Sequence, residues 1–457
     1  MDGQNMNMEP EQGSADQQPQ DDGADENVAF VDMNDVVEVN VDEDAPMADD
    51  DENGDDAGLE GDGEAVVDMS KVKIGTHTDS VYAVAGHIEN GVLFVLSGGG
   101  DDKAFCHKVT ADRSESKKLV FEHKDTVSCV AYNLPYVSPD LSKTPRLAAV
   151  GSYDGTIVLY DPDTAEQKLK LEGPSDVEWL SFHPKGGSVL LAGSGDGTVW
   201  MFHIPLNRCL QVFVGHEQAV TAGCFSPDGK WALTTSTDGT LRIWAPKTGM
   251  SKHVFRLGEA GLTCLANDGG SDGMLVLVGS EDGNAHVCHI ATKKLVTTLR
   301  HFEAPLQTNE ADNEEMEYPM SVEAVGFCPF QQSWCATGGI DGRLKIWDLT
   351  KDGLCRHTCL PPGEEKDSIT RLRWHPKLPV VFTTSVSGII RLWDARNGTL
   401  VHTVTGHTET INDFDINFFD SGVAVIVSTG DDKTIRVFEV DVNVVLRQAS
   451  SVPQPVS

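Results

Sequence analysis

Histidine and aspartate recur along this chain in a pairing that could do chemistry. His77, His123, His216 and His407 each sit in a turn, and each is followed by a tight-turn aspartate at Asp101, Asp154, Asp238 and Asp432. A His–Asp pair can orient a general base or hold a metal. Here the pairs recur at regular distances and do not converge on one site, so they read as structural. Cys355 and Cys359 form the one close cysteine pair. A single such pair, with no second one to complete a tetrahedral set, is a weak case for a metal. Glycine-rich stretches such as Gly193-Ser-Gly195-Asp-Gly197 lack the lysine of a phosphate loop and open a strand where a phosphate loop would open a helix. No nucleophile elbow, zincin helix or kinase signature set is present. The chain is therefore expected to be no enzyme and to need no cofactor or metal. The chemistry left is that of fixed carboxylates, which bind cations.

The elements that would position those carboxylates follow from a repeated phrase. It reads Gly-Ser-Tyr-Asp-Gly-Thr-Ile-Val-Leu-Tyr-Asp at 151–161, Ser-Thr-Asp-Gly-Thr-Leu-Arg-Ile-Trp at 236–244, and Gly-Ile-Asp-Gly-Arg-Leu-Lys-Ile-Trp-Asp at 339–348. The turn aspartate falls at Asp101, Asp154, Asp196, Asp238, Asp282, Asp341 and Asp432, with Ser387 in the same slot. Most of these marks are spaced near the roughly 40–45 residues of a four-stranded propeller blade. Asp-Gly suits a tight strand-to-strand turn, and the strand after it alternates, as in Leu241 and Ile243 or Leu344 and Ile346. An aromatic closes that strand at Trp244, Trp347 and Trp393. At His107 and Cys288 it is lost. The expected fold is all-β: an eight-bladed WD-repeat β-propeller with a disordered acidic N-terminal tail. Each sequence repeat begins with the outer strand of the preceding blade. Val66–Ile74 should therefore supply the outer strand of blade eight and close the ring.

Composition sets the limits. The chain of 457 residues carries 71 Asp and Glu against 35 Lys and Arg, a net charge of −36. Residues 1–70 hold 24 of the acids and no Lys or Arg, with Phe30 as their one aromatic. Such a segment cannot bury enough apolar surface to offset its ordering. The expected organisation is a disordered acidic tail over 1–65, the propeller over 66–440 and a C-terminal tail over 441–457. An acidic balance argues against direct nucleic-acid binding, which needs a basic footprint, and favours basic partners. The ten cysteines show no disulfide framework. No signal peptide and no membrane-spanning run is present, so a cytoplasmic monomer without membrane insertion is expected, with the nucleus a second compartment. Asn397-Gly398-Thr399 matches a glycosylation sequon but reads as a hairpin turn of blade seven.

A partner should sit on the top face, built from the loops between blades and the turns that hold the repeat aspartate. Asp79, Asp125, Asp367 and Glu409 each lie two residues before the leading Val or Ile of an inner strand. Glu178 and Glu323 lie one residue after that position, nearer the axis. Glu281 and Asp431 stand just before the turn aspartate in blades five and eight. Asp79 and Asp125 also have an architectural reading, because aspartate there forms local turns. Glu178, Glu281, Glu323 and Asp431 have none. The long gap between blades five and six adds Glu303, Glu310, Asp312, Glu314, Glu315 and Glu317 to the same face, whereas the insertion around 133–146, with Lys143 and Arg146, should emerge below. Tyr82, Trp179 and Trp374 lie near the inner strands, where aromatics are more often core than platforms for Arg or Lys stems.

Gly98-Gly-Gly-Asp-Asp-Lys-Ala-Phe105 and Asp176-Val-Glu-Trp-Leu-Ser-Phe-His-Pro184, followed by Leu190–Phe202, resemble blades one and three of the angio-associated migratory cell protein family. His107, where that family tends to have Trp, and Ser387, where Asp is usual, depart from its pattern and should weaken two blade locks. The resemblance implies more than the spacing does. The family's fungal member is a dedicated chaperone of the L-ten-type large-subunit ribosomal protein, capturing a basic N-terminal segment on an acidic top face during synthesis. Its animal member is associated with cell migration and receptor signalling. The expected function is thus a non-catalytic escort of a basic ribosomal protein in large-subunit assembly, with a signalling or cell-migration scaffold as the alternative. A ubiquitin-ligase adaptor is a generic option with no residue behind it.

Overall fold

A computed structural model describes residues 67–110, 114–119, 121–133, 146–269, 274–302, 320–361, 363, 366–419 and 421–451. The acidic N-terminal segment and the acidic insertion from Glu303 to Glu317 lie outside the described residues, as does most of the insertion around 133–146. The described chain forms eight four-stranded antiparallel sheets, each one blade of a β-propeller. In blades one to seven the strands run consecutively from axis to rim, as in blade four: Val220–Phe225, Ala232–Ser236, Thr240–Trp244 and Ser251–Arg256. Blade eight takes its outer strand from the other end of the propeller. Val72–Ile74 pairs with Ile435–Val440, placing Val72 against Val437 and Ile74 against Ile435. Two ion pairs fasten this clasp, Lys71 Nζ to Glu439 at 2.6 Å and buried Arg436 to Asp68. The ring thus leaves no open sheet edge at the joint.

The period-two pattern packs each blade onto the next. Phe382 and Leu392 of blade seven meet Phe414 and Phe438 of blade eight in one buried cluster, and similar clusters fill the other interfaces. Full burial of a side chain of this kind contributes about 1.5–3 kcal/mol. The segment after residue 440, expected as a tail, contains a helix, Val442–Ser451. It is anchored by buried Val442, with Val445 and Leu446 packed on the cluster of blades seven and eight.

Polar locks tie the turns to this core. In blade four, His216 Nδ1 donates to Asp238 at 3.0 Å, because an ionised carboxylate can only accept. Thr234 Oγ1 lies 2.8 Å from His216 Nε2 and accepts from Trp244 Nε1, also at 2.8 Å. Blade six repeats the device with His301, 3.2 Å from Asp341. The sequence reading missed that histidine because the long insertion separates it from its repeat.

The two expected weak locks are both intact. In blade one, His107 takes the tryptophan's place, 3.0 Å from Ser97 Oγ and 2.8 Å from Ser116 Oγ. Burial pushes its imidazole down to about 3, so it stays neutral. In blade seven, Arg391 Nη1 donates to Asp367 at 2.6 Å while Ser387 donates to the same carboxylate from its backbone N–H and its hydroxyl.

Candidate functional site: the acidic rim

One hydrogen bond places the top face. In seven blades the turn residue before the repeat aspartate meets the residue before the inner strand. In all seven its N–H donates to that residue's carbonyl, as Gly100 to Ser80, Tyr153 to Thr126, Thr237 to Ala219, Ile340 to Ser321, Val386 to Ser368 and Asp431 to Thr410. In blade five Glu281 N donates to Gly261 O in the same way. In blade three the donor is Gly195 N and the acceptor is the Asp176 carboxylate, at 2.9 Å. Turns and blade-to-blade loops therefore share one rim. Its described cations include Lys103, Lys124, Arg343, Lys366 and Lys433, with exposed Arg256 and Arg300 at the ends of outer strands beside Thr240 and Asn284, and its described acids outnumber them.

Inside the rim runs a second ring. In seven blades the inner strand slips register immediately after its leading residue, a β-bulge that turns the next side chain out of the ladder. The bulged residues are Tyr82, Ser128, Thr221, Thr263, Glu323, Thr370 and Asn412, and Glu178 holds the equivalent place in blade three. At four of these positions the side chain donates to the carbonyl of the next blade's leading residue. Ser128 bonds Val177, Thr263 bonds Val322 at 2.5 Å, Thr370 bonds Ile411 at 2.8 Å and Asn412 bonds Val81 at 3.2 Å. These bonds stitch neighbouring blades together near the axis.

A carboxylate cannot make that stitch, since it has no proton to donate. Glu178 and Glu323 therefore occupy stitching positions without stitching. In blade three the neighbouring Trp179 Nε1 makes the bond instead, to Val220 O at 2.9 Å. Glu178 is half-buried beside Asp176. Both carboxylates lie over Gly195, where a Cβ would come within 2.5 Å of Asp176 and 3.3 Å of Glu178. Burial and then the charge of Asp176 raise the Glu178 carboxyl above its usual range, against a weaker opposing effect of the Tyr153 hydroxyl 3.4 Å away. A cation arriving here would offset the repulsion from Asp176 and favour the ionised form of Glu178. Glu323, also half-buried, accepts from Ser321 Oγ at 2.5 Å.

The other expected contacts divide. Glu409 is exposed with no side-chain partner among the described residues. Exposed Glu281 accepts from Gly261 N at 3.3 Å, and Asp431 accepts from Asn412 Nδ2 at 2.8 Å. Asp79 and Asp125 each spend one oxygen on the following backbone N–H, at 2.8 and 2.7 Å, as the architectural reading expects, and remain exposed. Asp367 must be corrected. It is 9% exposed and committed to Arg391 and Ser387, so it serves blade seven and cannot support a partner.

Among the aromatics, Trp179 and Trp374 bond backbone carbonyls and are architectural. Tyr82 is 43% exposed on the rim. Tyr153, 40% exposed beside Glu178, escaped the sequence reading because it occupies an ordinary turn slot. Arg371 and Arg373 were also missed. They project from the inner strand of blade seven, with Arg371 Nε 3.8 Å from Asp413, so the channel wall below the rim is not uniformly acidic.

Comparison with known proteins fits this architecture. The WD domain, G-beta repeat family matches residues 115–161, 165–203, 207–245, 320–348, 353–394 and 398–439. The human angio-associated migratory cell protein is 36% identical over 377 residues, covering 81% of this chain and 80% of its own. The Saccharomyces cerevisiae ribosome assembly protein SQT1 is 24% identical over 434 residues, covering 85% and 92%. Among solved structures, S. cerevisiae Sqt1 superposes with a TM-score of 0.68 at 20% identity, over 82% of this chain and 99% of its own. Chaetomium thermophilum Sqt1 bound to the N-terminus of the ribosomal protein L10 gives 0.67 at 20% identity, over 82% and 100%. With its repeats, its eight closed blades and this level of identity over most of its length, the chain belongs to the angio-associated migratory cell protein family of WD-repeat proteins.

Proposed function

We propose that the protein is a non-catalytic escort that captures a Lys/Arg-rich segment of a large-subunit ribosomal protein on its acidic rim. The observation that carries the reading is the pair Glu178 and Glu323, which stand where blades two, five, seven and eight have stitching hydroxyl or amide groups. A residue that gives up an inter-blade bond and holds a half-buried charge contributes little to the fold. Its gain comes when a cation arrives. Glu281, Asp431, Glu409, Asp79 and Asp125 surround the pair with further negative charge, which speeds encounter and makes capture salt-sensitive. The rim aromatics Tyr82 and Tyr153 offer faces to the stems of Arg or Lys. Similarity to Sqt1, solved with the N-terminus of ribosomal protein L10, supports the choice of client. A cytoplasmic location, with the nucleus a second compartment, belongs to this reading.

The test is titration of the full chain with a fluorescent peptide of the L10 N-terminus. The double variant Glu178→Lys/Glu323→Lys should lose binding while its melting temperature stays within about 2 °C of wild type. Wild-type affinity in the variant would remove the site. A pulldown from translating cells separates the alternative scaffold role. Enrichment of one ribosomal protein with its mRNA supports the escort, and receptor-pathway partners support the scaffold.

A further inference from the structure

The face opposite the rim, formed by the loops between first and second strands and the turns between third and fourth, is different in character. Between blades three and four an open groove of about 720 Å³ has Met201, Leu210 and Trp231 in its wall and Lys230, Lys247 and Lys252 along it. No Asp or Glu lines it. All three lysines are exposed. Lys230 is paired to Asp228 at 2.8 Å, but Lys247 and Lys252 have no ion pair among the described residues. The apolar strip continues beyond the groove in the adjoining turns through Leu206, 56% exposed, and Met250, 61% exposed.

An apolar trough whose charged lining residues are all lysines, with Asp228 at its edge neutralising one of them, is unexpected in a chain of net charge −36. It is large enough for several side chains, since ligand sites commonly span roughly 300–1,000 Å³. Its openness and length suit a peptide better than an enclosed small molecule. Exposed apolar strips with a polar border mark protein contacts, and the sign of this border selects the partner. We propose that the groove docks an acidic amphipathic segment of a partner protein, with Leu-like side chains against Leu210 and Trp231 and flanking carboxylates on Lys247 and Lys252. The site lies on the opposite face from the rim, so this proposal does not depend on the escort reading, and an acidic partner could stay bound while a basic segment is held above.

The experiment uses fluorescence anisotropy of the full chain with a labelled 12-residue amphipathic peptide of leucine and glutamate, and with its leucine–lysine counterpart. The Leu/Glu peptide should bind and weaken as salt rises. Lys247→Glu/Lys252→Glu and, separately, Leu210→Glu should each weaken it at least tenfold without moving the melting temperature or the binding of a basic peptide to the rim. The proposal is overturned if the Leu/Glu peptide does not bind, if both variants bind it as wild type does, or if Leu/Lys binding is equally sensitive to the groove variants. Recruitment to phosphatidylserine vesicles that the groove variants abolish, without Leu/Glu peptide binding, would also overturn it, by assigning the lysines to a membrane.

Discussion

Replacing Glu323 by threonine should make the protein more stable and less able to bind a basic peptide. Thr263 and Thr370 already occupy the same bulge position in blades five and seven, and each donates to the leading carbonyl of the following blade, at 2.5 and 2.8 Å. Threonine at 323 has the same geometry available toward Ile369, and it is also a good strand former. One net hydrogen bond is worth about 0.5–1.5 kcal/mol. For a ring of this size, unfolding entropy is ~0.8 kcal/mol per degree, so the melting temperature should rise by about 1–2 °C. The released Ser321 hydroxyl can turn to water at little cost. Binding should move the other way. Loss of one charge-assisted contact, about 1.5–3 kcal/mol, weakens a basic peptide by about 10- to 150-fold at low salt. Differential scanning calorimetry and peptide titration read the two effects on one preparation. The reverse change, Thr263→Glu, should lower stability by a similar amount. A clear fall in melting temperature for Glu323→Thr, or unchanged peptide affinity, would refute the idea that this glutamate is held against the interest of the fold.

Two further outcomes follow from the locks. Asp367→Ala leaves Arg391 buried without its partner, at a cost of about 3–5 kcal/mol, and should lower the melting temperature by about 4–6 °C. Adding Arg391→Leu should recover much of that loss, and a double variant as unstable as the single one would show that the pair is not the lock. Stability should also fall as pH drops below about 6.5. Burial lowers His77, His107, His216 and His301, so below their unfolded value the unfolded chain binds protons that the folded chain refuses. His107, held near 3, alone accounts for about 2 kcal/mol at pH 5. Lower still, the lock aspartates act in the same direction. Burial opposes the charge of Asp101 and Asp238, but hydrogen bonds outweigh it and depress both carboxyls, so the stability they add above the ordinary carboxylate range is lost as acid protonates them. Urea midpoints measured from pH 7 to 4 check this, and a flat profile would contradict it.

The repeat phrase, its period and the alternation after each turn determined the eight blades and the face on which the acids lie, because strand pairing and turn chemistry are local. The roles of individual carboxylates are not local. Asp367 and Asp125 occupy the same slot in their repeats, yet one is buried on an arginine 24 residues away and the other is exposed. Only the folded blade shows which aspartate has been recruited to replace a missing lock. The candidate site residues came the same way. Glu178 and Glu323 were legible as acids near the axis, but only the structure shows that they occupy the position of a bond to the neighbouring blade that they cannot form. His301 was hidden by an insertion that packing ignores. The groove between blades three and four joins residues from two repeats, and its charge has no signature in either. Sequence sets what each repeat can form, while packing between repeats decides which polar groups are used by the fold and which are left for a partner.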